Sequence, residues 1–280
     1  VIRNTKLYVN REEGFIGTSL RKDEYVGDCS DIDDLIVFTK DCKVVITKVG
    51  AKTFIGKNII HAAVFKKKDT RTIYNMIYKD GDKNFYYLKR FAVSGVTRDK
   101  SYSLSSSKNE SNVAYFSANP NGEAEIVSIL LRQSSKLKKI KWDLDFSDYL
   151  IKGRSSKGNV VTKYSVNKIE LKEKGVSTLK PRKIWFDDAV QRLNVDARGE
   201  LLGEFSGEDK LLVVRQNGIL KTISPEITTH FTEDMIVLEK WIPKKPISAV
   251  YFDGVKQKYF LKRFLIENEN KEELFISENK

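Results

Sequence analysis

Ile77-Tyr78-Lys79-Asp80-Gly81, followed by Tyr86-Tyr87-Leu88-Lys89-Arg90-Phe91, occurs twice in this chain. Near the other end the sequence reads Val250-Tyr251-Phe252-Asp253-Gly254 and then Tyr259-Phe260-Leu261-Lys262-Arg263-Phe264. The copies align without a gap at a separation of 173 residues (Tyr78 to Tyr251), and self-similarity at a fixed offset marks a repeat architecture. Each copy has an apolar strand, an Asp-Gly turn, an aromatic strand and a Lys-Arg pair before its last Phe. Asp-Gly between apolar runs predicts a hairpin, because Gly supplies the positive φ of a tight turn without steric cost.

A second echo has nearly the same offset. Gly27 to Val37 lines up with Gly203 to Val213, 176 residues on, so half the chain echoes the other half. In this alignment Cys42 stands where the later copy has Gly218, which makes it a tolerated turn substitution and not a reactive thiol.

Other hairpins are expected around the same scheme. Leu7–Asn10 turns through Arg11-Glu12-Glu13-Gly14 into Phe15–Thr18, and Leu35–Phe38 turns at Lys40-Asp41-Cys42 into Val44–Ile46. Val113–Phe116 is expected to return through Ala124–Val127 after Asn119-Pro120-Asn121-Gly122, and Ile151 through Val160-Val161 after Lys157-Gly158-Asn159. Leu211–Val214 turns at Gln216-Asn217-Gly218 into Ile219-Leu220. Turns recur mostly every ~30 to 40 residues, the spacing of blades in a propeller-like array. No segment sustains a helical apolar period; Leu171–Gly175 and Asp188–Leu193 could each supply a helical turn or two. The fold class is all-β.

Composition narrows the partner. With 40% hydrophobic and 31% charged residues the chain reads as an ordinary globular protein, without a bilayer-length apolar run or a signal peptide. Beginning at Val1 suits a piece excised from a longer chain. Two cysteines are too few for a disulfide scaffold and fit a reducing cytoplasm. The net charge of +12 points to a polyanion, most often nucleic acid. Bases concentrate between Arg132 and Lys183, including Lys136, Lys138, Lys139 and Lys141, whereas acids cluster from Asp23 to Asp34 and after Ile266.

Catalytic constellations are scarce. His61 and His230 are the only histidines, and no nucleophile elbow, phosphate-binding glycine loop or zinc-protease motif is present. His61 reads as a partly buried strand residue. Asp33-Asp34, Asp187-Asp188 and Asp143 with Asp145 could be imagined as glycosidase carboxylates, but the first two pairs sit at turn-like positions where Asp is ordinary. Trp142, Trp185 and Trp241 are expected to pack between blades. The basic residues near strand ends, Lys89-Arg90, Lys262-Arg263, Arg154 with Lys157, and Lys180-Arg182-Lys183, are the better lead. Spaced around a rim they could follow a phosphate backbone without reading bases.

Several of these stretches resemble a known family. Tyr8-Val9-Asn10-Arg11-Glu12-Glu13-Gly14-Phe15-Ile16-Gly17-Thr18, the Asp33-to-Val45 hairpin, Lys152-Gly153-Arg154-Ser155-Ser156-Lys157-Gly158-Asn159, Lys174–Leu179 and Gln191–Asn194 are similar to the C-terminal domain of bacterial type IIA topoisomerase A subunits, closest to the topoisomerase IV-like Bacteroidetes type. The resemblance covers nearly the whole chain. It implies a β-pinwheel, a propeller-like disc of five to six blades (six favoured) spanning 1–266, with 267–280 an acidic tail expected to be partly disordered. It implies a non-catalytic domain that bends duplex DNA around a basic rim and presents it to the rest of an ATP-dependent enzyme. ATP, magnesium, the ATPase B subunit plus the catalytic portion of the A subunit belong elsewhere in that holoenzyme, so no cofactor is expected here. A cytoplasmic, nucleoid-associated location follows. Gyrases carry a Gln-Arg-Arg-Gly-Gly-Lys-Gly box in the first blade; the corresponding connection here, Thr18 to Ser30, contains none, which favours a topoisomerase IV-like role in relaxation and decatenation, or a gyrase-like protein that does not wrap DNA in the usual way.

The residues expected to contact DNA are Lys89, Arg90, Arg98, Lys152, Arg154, Lys157, Lys163, Lys180, Arg182, Lys183, Arg192, Lys262 and Arg263. The competing reading is a propeller that binds protein partners, which predicts an exposed apolar patch.

Overall fold

The computed structural model describes residues 5–67, 69–133, 137, 139–227, 229–266 and 271–276. Lys136, Lys138 and most of the predicted acidic tail lie outside the described residues. Two units are distinguished, Val1–Thr178 and Leu179–Lys280.

The first unit begins with β1 (Thr5–Asn10), β2 (Phe15–Gly17), β3 (Glu24–Cys29), β4 (Asp34–Thr39), β5 (Lys43–Lys48), β6 (Thr53–Phe54) and β7 (Ile59–Phe65). It continues with β8 (Ile73–Lys79), β9 (Tyr86–Ala92), β10 (Ser101–Ser103), β11 (Asn112–Asn119) and β12 (Glu123–Leu131). After β13 (Lys141–Asp145) comes a single 3-10 turn, Phe146–Asp148, then β14 (Ile151–Gly153), β15 (Asn159–Thr162) and β16 (Val166–Ser177). The second unit holds β17 (Arg182–Asp187), β18 (Arg192–Asn194), β19 (Glu200–Phe205), β20 (Leu211–Arg215) and β21 (Ile219–Ile223). It ends with β22 (Met235–Lys240), β23 (Ile247–Asp253), β24 (Lys258–Phe264) and β25 (Glu273–Leu274). β25 falls within the acidic tail and pairs antiparallel with β21. The predicted helical turns are absent: 171–175 lies within β16, and 188–191 is a tight turn before β18.

Small sheets stacked face on face explain why the central strands are apolar throughout. Successive side chains of a strand point to opposite faces. In β4, Leu35 and Val37 enter a core with Leu7, Val9, Ile16 and Cys29, while Ile36 and Phe38 enter a second core with Val44, Ile46, Tyr74, Met76, Tyr78 and Phe91. A strand buried on both faces cannot alternate apolar with polar, so its sequence becomes a continuous apolar run. Burying one such side chain contributes ~1.5 to 3 kcal/mol, so the stacked faces dominate the stability of each unit. The second unit repeats the pattern: Leu211 and Val213 pack with Ile184, Phe186 and Leu193, while Leu212 and Val214 face the other way with Leu220. The sequence echo is therefore a structural echo.

Two expected hairpins are not hairpins. β11 does not pair with β12; it adds antiparallel to β8, and β12 pairs with β13 and β16. β14 and β15 do not pair with each other either; both add to β9, β14 parallel and β15 antiparallel. In both cases the chain does turn where its turn residues stand, but the free edges of β8 and β9 offer long-range hydrogen-bond partners that local sequence does not reveal. Among the described residues the strands form sheets of two to five strands, and five of the seven expected hairpins are present: β1–β2, β4–β5, β8–β9, β20–β21 and β23–β24.

The repeated turn also differs from expectation in its mechanism. Asp80 accepts backbone N–H bonds from Asp82 at 3.2 Å and Lys83 at 2.8 Å, and Asp253 accepts from Val255 and Lys256, both at 3.0 Å. Positive φ falls not on the Gly but on Asn84 (57°) and Gln257 (51°), again 173 residues apart. The Asp is what organises this turn. Gly81 is needed for space: a Cβ there would sit 2.4 Å from the Glu110 carbonyl oxygen. The aligned turn positions Cys42 and Gly218 share positive φ, 59° and 80°. Cys42 is fully buried, and burial pushes its thiol up to about 12, which fits a turn substitution.

Candidate nucleic-acid interface

The repeated Lys-Arg pair departs first from expectation. Lys89 and Arg90, expected on an exposed rim, are each only 2% exposed. Lys89 Nζ donates to the carbonyl oxygens of Leu104 (2.6 Å), Arg154 (2.6 Å) and Ser156 (2.9 Å). Arg90 donates to the carbonyls of Gly122, Phe146 and Tyr149, to Thr178 Oγ1 and to Asn75 Oδ1. Asn75 in turn donates to Glu125, which also accepts from Tyr115 and Ser117. Buried cations of this kind persist only when their donors are satisfied, and here main-chain carbonyls do it. Neither residue can reach DNA. Both belong to the packing of β9 against the segments that cross it.

What the pair holds is more informative. The segment 151–163 crosses β9 as β14, a turn and β15, and each part is pinned. Tyr78 Oη donates to the Lys157 carbonyl at 2.8 Å. Gly158 has φ +90° and passes so close that a Cβ would lie 2.2 Å from the Leu88 carbonyl oxygen. Only Gly satisfies both constraints at that position.

On this crossing the structure assembles cations over aromatic rings. The Arg154 guanidinium lies 4.3 Å from the Tyr102 ring centre, and Lys100 Nζ approaches the same ring at 5.4 Å. Lys157 Nζ is 4.8 Å from the Tyr87 ring and 3.6 Å from Asp80, while Lys163 Nζ is 5.5 Å from Phe85. A ring restrains a long side chain without neutralising its charge, so Lys100, Arg154 and Lys163 remain available to a polyanion, while Lys157 is shared with Asp80. Lys152, next to them, is exposed. Arg154 Nε and Ser156 Oγ are buried without a hydrogen-bond partner among the described residues. Burial pushes the fully buried Asp80 carboxyl up, but hydrogen bonds from Ser107 and the Lys83 N–H, together with Lys157, hold it below its ordinary value.

Of the expected contact residues, then, Lys152, Arg154, Lys157 and Lys163 are brought together on one crossing segment. Sequence reasoning missed Lys100 and Tyr102, just before and within β10, because no local signal ties them to the distant Arg154. Arg98 is placed otherwise, its Nε 2.7 Å from Asp34 Oδ1 in an ion pair that also involves Lys67. In the second unit, Lys183 and Arg192 are exposed on β17 and β18, Lys180 is exposed just before β17, and Arg182 is half-buried. Lys262 and Arg263 are exposed on β24.

The carboxylate pairs have local duties. Asp33 accepts from the Ser30 N–H, Asp187 from the Ala189 N–H, Asp145 from the Ser147 N–H, and Asp143 pairs with Lys172. Asp188 bonds Gln191. Among the described residues no three His, Cys, Asp or Glu groups are placed to hold a metal ion, and no helix is long and apolar enough to cross a membrane. His61 sits half-buried among Phe38, Tyr74 and Phe116, and burial lowers its pKa to about 4. Trp142 and Trp241 pack against core clusters, as expected of them.

Comparison with known proteins bears on this arrangement. The A subunit of DNA topoisomerase 4 from Borreliella burgdorferi is 32% identical over 171 residues, which cover 61% of this chain and 25% of that protein. The chain thus spans a quarter of the length of that relative. A crystal structure of the C-terminal domain of DNA topoisomerase IV aligns with 86% of this chain and 94% of its own, at 12% identity and a TM-score of 0.44. The family described as Topoisomerase C-terminal domain, Bacteroidota, matches residues 6–174 and 192–280, which include the crossing segment and both copies of the repeated hairpin. The chain belongs to the Bacteroidota family of topoisomerase C-terminal domains.

Proposed function

We propose that this chain is a β-pinwheel of five to six blades, six favoured, and serves as a non-catalytic DNA-binding domain from the A subunit of a type IIA topoisomerase. It bends duplex DNA along its basic surface. The observation that carries the reading is the crossing segment, where Arg154, Lys157 and Lys163, together with Lys100, stand over aromatic rings beside the exposed Lys152. Preordered cations with no base-reading geometry suit phosphate contacts, which give affinity without sequence preference. The net charge of +12 supplies the long-range attraction. The missing gyrase-type box between Thr18 and Ser30 supports a topoisomerase IV-like role in relaxation and decatenation. In that holoenzyme the partners are duplex DNA, the catalytic part of the same polypeptide and the ATPase subunit, in the cytoplasm. ATP and magnesium act elsewhere in it.

The test is binding of the chain to a duplex of several helical turns across a salt series, with end-to-end energy transfer reporting bending. Affinity falling steeply with salt, together with a shortened end-to-end distance, is expected. No binding at low salt overturns the reading.

One observation favours a second reading, a protein-binding module. The hairpin β23–β24 exposes Val250, Tyr259 and Leu261, at 69%, 77% and 77%. An apolar patch of this sort suits a protein surface better than a phosphate backbone. Under that reading DNA affinity would be weak and insensitive to salt.

A further inference from the structure

We propose that Lys89 is a positioning residue for phosphate binding: from inside the fold it fixes the turn that presents Arg154 and Lys157 to DNA, and Tyr78 assists it. This rests on the DNA-binding reading above. It reverses the role that the repeated Lys-Arg pair suggested in the sequence.

The argument is geometric. A single ammonium has three N–H donors, and Lys89 places all three on main-chain oxygens of two different segments. One is the Leu104 carbonyl beside β10; the other two, on Arg154 and Ser156, belong to the turn between β14 and β15. Tying these together brings Tyr102, two residues before Leu104, under the Arg154 guanidinium at 4.3 Å. The next residue of the turn, Lys157, is held through its own carbonyl by Tyr78 and through its side chain over Tyr87. Ser156 donates from its N–H to the Gly153 carbonyl, closing the turn locally, but nothing in that bond fixes the turn against β9. Lys89 and Tyr78 do. With both in place, two flexible cationic side chains start from a fixed backbone, and less freedom is lost when phosphate binds.

The experiment compares salt dependence in four proteins: wild type, Lys89→Met, the double variant Arg154→Ala/Lys157→Ala, and the triple variant. The slope of log affinity against log salt loses about 0.9 for each phosphate contact removed. The double variant is expected to lose about 1.8. Lys89→Met is expected to approach that loss although it removes no exposed charge, and the triple variant is expected to lose no more than the double. Such non-additivity is not produced by general destabilisation. A wild-type slope in Lys89→Met, with a reduced slope in the double variant, overturns the proposal and leaves DNA binding intact. A wild-type chain without salt-sensitive binding overturns both. If Lys89→Met does not fold, Tyr78→Phe carries the test. It removes only the hydroxyl on the Lys157 carbonyl, so a loss of about 0.9 in slope supports the proposal and an unchanged slope overturns it.

Discussion

The hairpins β8–β9 and β23–β24 share sequence, turn geometry and register, yet one lies inside the protein and the other on its surface. In the first, β8 is covered at its edge by β11 and β9 by β14 and β15. In the second, β23 and β24 pair only with each other among the described residues. Ile77 and Leu88 are directly opposite each other and buried against Val127, Ile129 and Phe146. Their counterparts Val250 and Leu261 are also opposite each other, and are exposed.

The lysines behave alike and the arginines do not. Lys89 Nζ donates to the Leu104 carbonyl at 2.6 Å, and Lys262 Nζ donates to the Phe275 carbonyl at 2.9 Å. These acceptors are themselves equivalent, since the Leu104 N–H bonds Cys42 O and the Phe275 N–H bonds Gly218 O. Arg90, by contrast, is satisfied by groups of β12, the 3-10 turn and Thr178, and Arg263 has no partner among the described residues. The same arginine is thus structural where neighbouring segments supply carbonyls, and open to a ligand where they do not. What a repeat carries from copy to copy is the capacity to make a contact, and its surroundings decide whether the contact is made.

The comparison breaks most readily at the arginines. Arg90→Met strands several buried acceptors and is expected to cost about 4 kcal/mol, whereas Arg263→Met should cost no more than about 0.5 kcal/mol. Urea unfolding of the two variants checks this, and equal midpoints would show that the burial of Arg90 contributes nothing. Next in size is the apolar pair. Ile77→Ala should cost roughly 2 to 5 kcal/mol through cavity formation, and Val250→Ala within about 0.5 kcal/mol. If Val250→Ala proves as costly, its face is covered in solution.

A smaller effect sharpens the difference electrostatically. Burial, with Arg154 adding to it, lowers the Lys89 ammonium from its ordinary 10.5 to about 8. Between these values the unfolded chain keeps a proton that the folded chain has released, so this group makes stability rise with pH across that window. The facing Cys42 thiol, which burial pushes up to about 12, contributes with the opposite sign above its ordinary value. The difference between wild type and Lys89→Met therefore isolates the lysine, and unfolding midpoints from about pH 8 to 10 should show the rise only in wild type. Smallest is the acid side. Asp80, held below its ordinary carboxylate value, stabilises the fold above that value and ceases to do so as pH falls through its folded pKa. Asp80→Asn should accordingly flatten the low-pH end of the stability curve.

Much of this fold was legible because strands buried on both faces write themselves as apolar runs. Leu35–Phe38 and Leu211–Val214 could be found and matched for that reason. The turn at Asn119–Gly122 and the one at Lys157–Asn159 were equally legible, but the pairing of the strands on either side of them was not. Turn chemistry is local, and the choice of pairing partner is made by whichever edge is free. For the candidate site, Arg154, Lys157 and Lys163 were identifiable as basic residues near a glycine turn. Lys100 and Tyr102 were not, since Tyr102 meets Arg154 from about 50 positions away and Lys100 joins the site only through the Tyr102 ring.

The sequence by itself determined the all-β class, the position of the repeated hairpin and its turn, and an excess of positive charge. These follow from short apolar runs broken by turn residues, from self-similarity at a fixed offset, and from simple counting; that the Asp and not the Gly organises the turn was seen only in the structure. Only the tertiary structure decided which Lys and Arg residues are available to a polyanion. A Lys-Arg dipeptide carries the same charge in β9 and in β24, but burial and the supply of backbone carbonyls are set by strands far away in the chain. That is why Lys89 and Arg90 became a clamp while Lys262 and Arg263 remained at the surface.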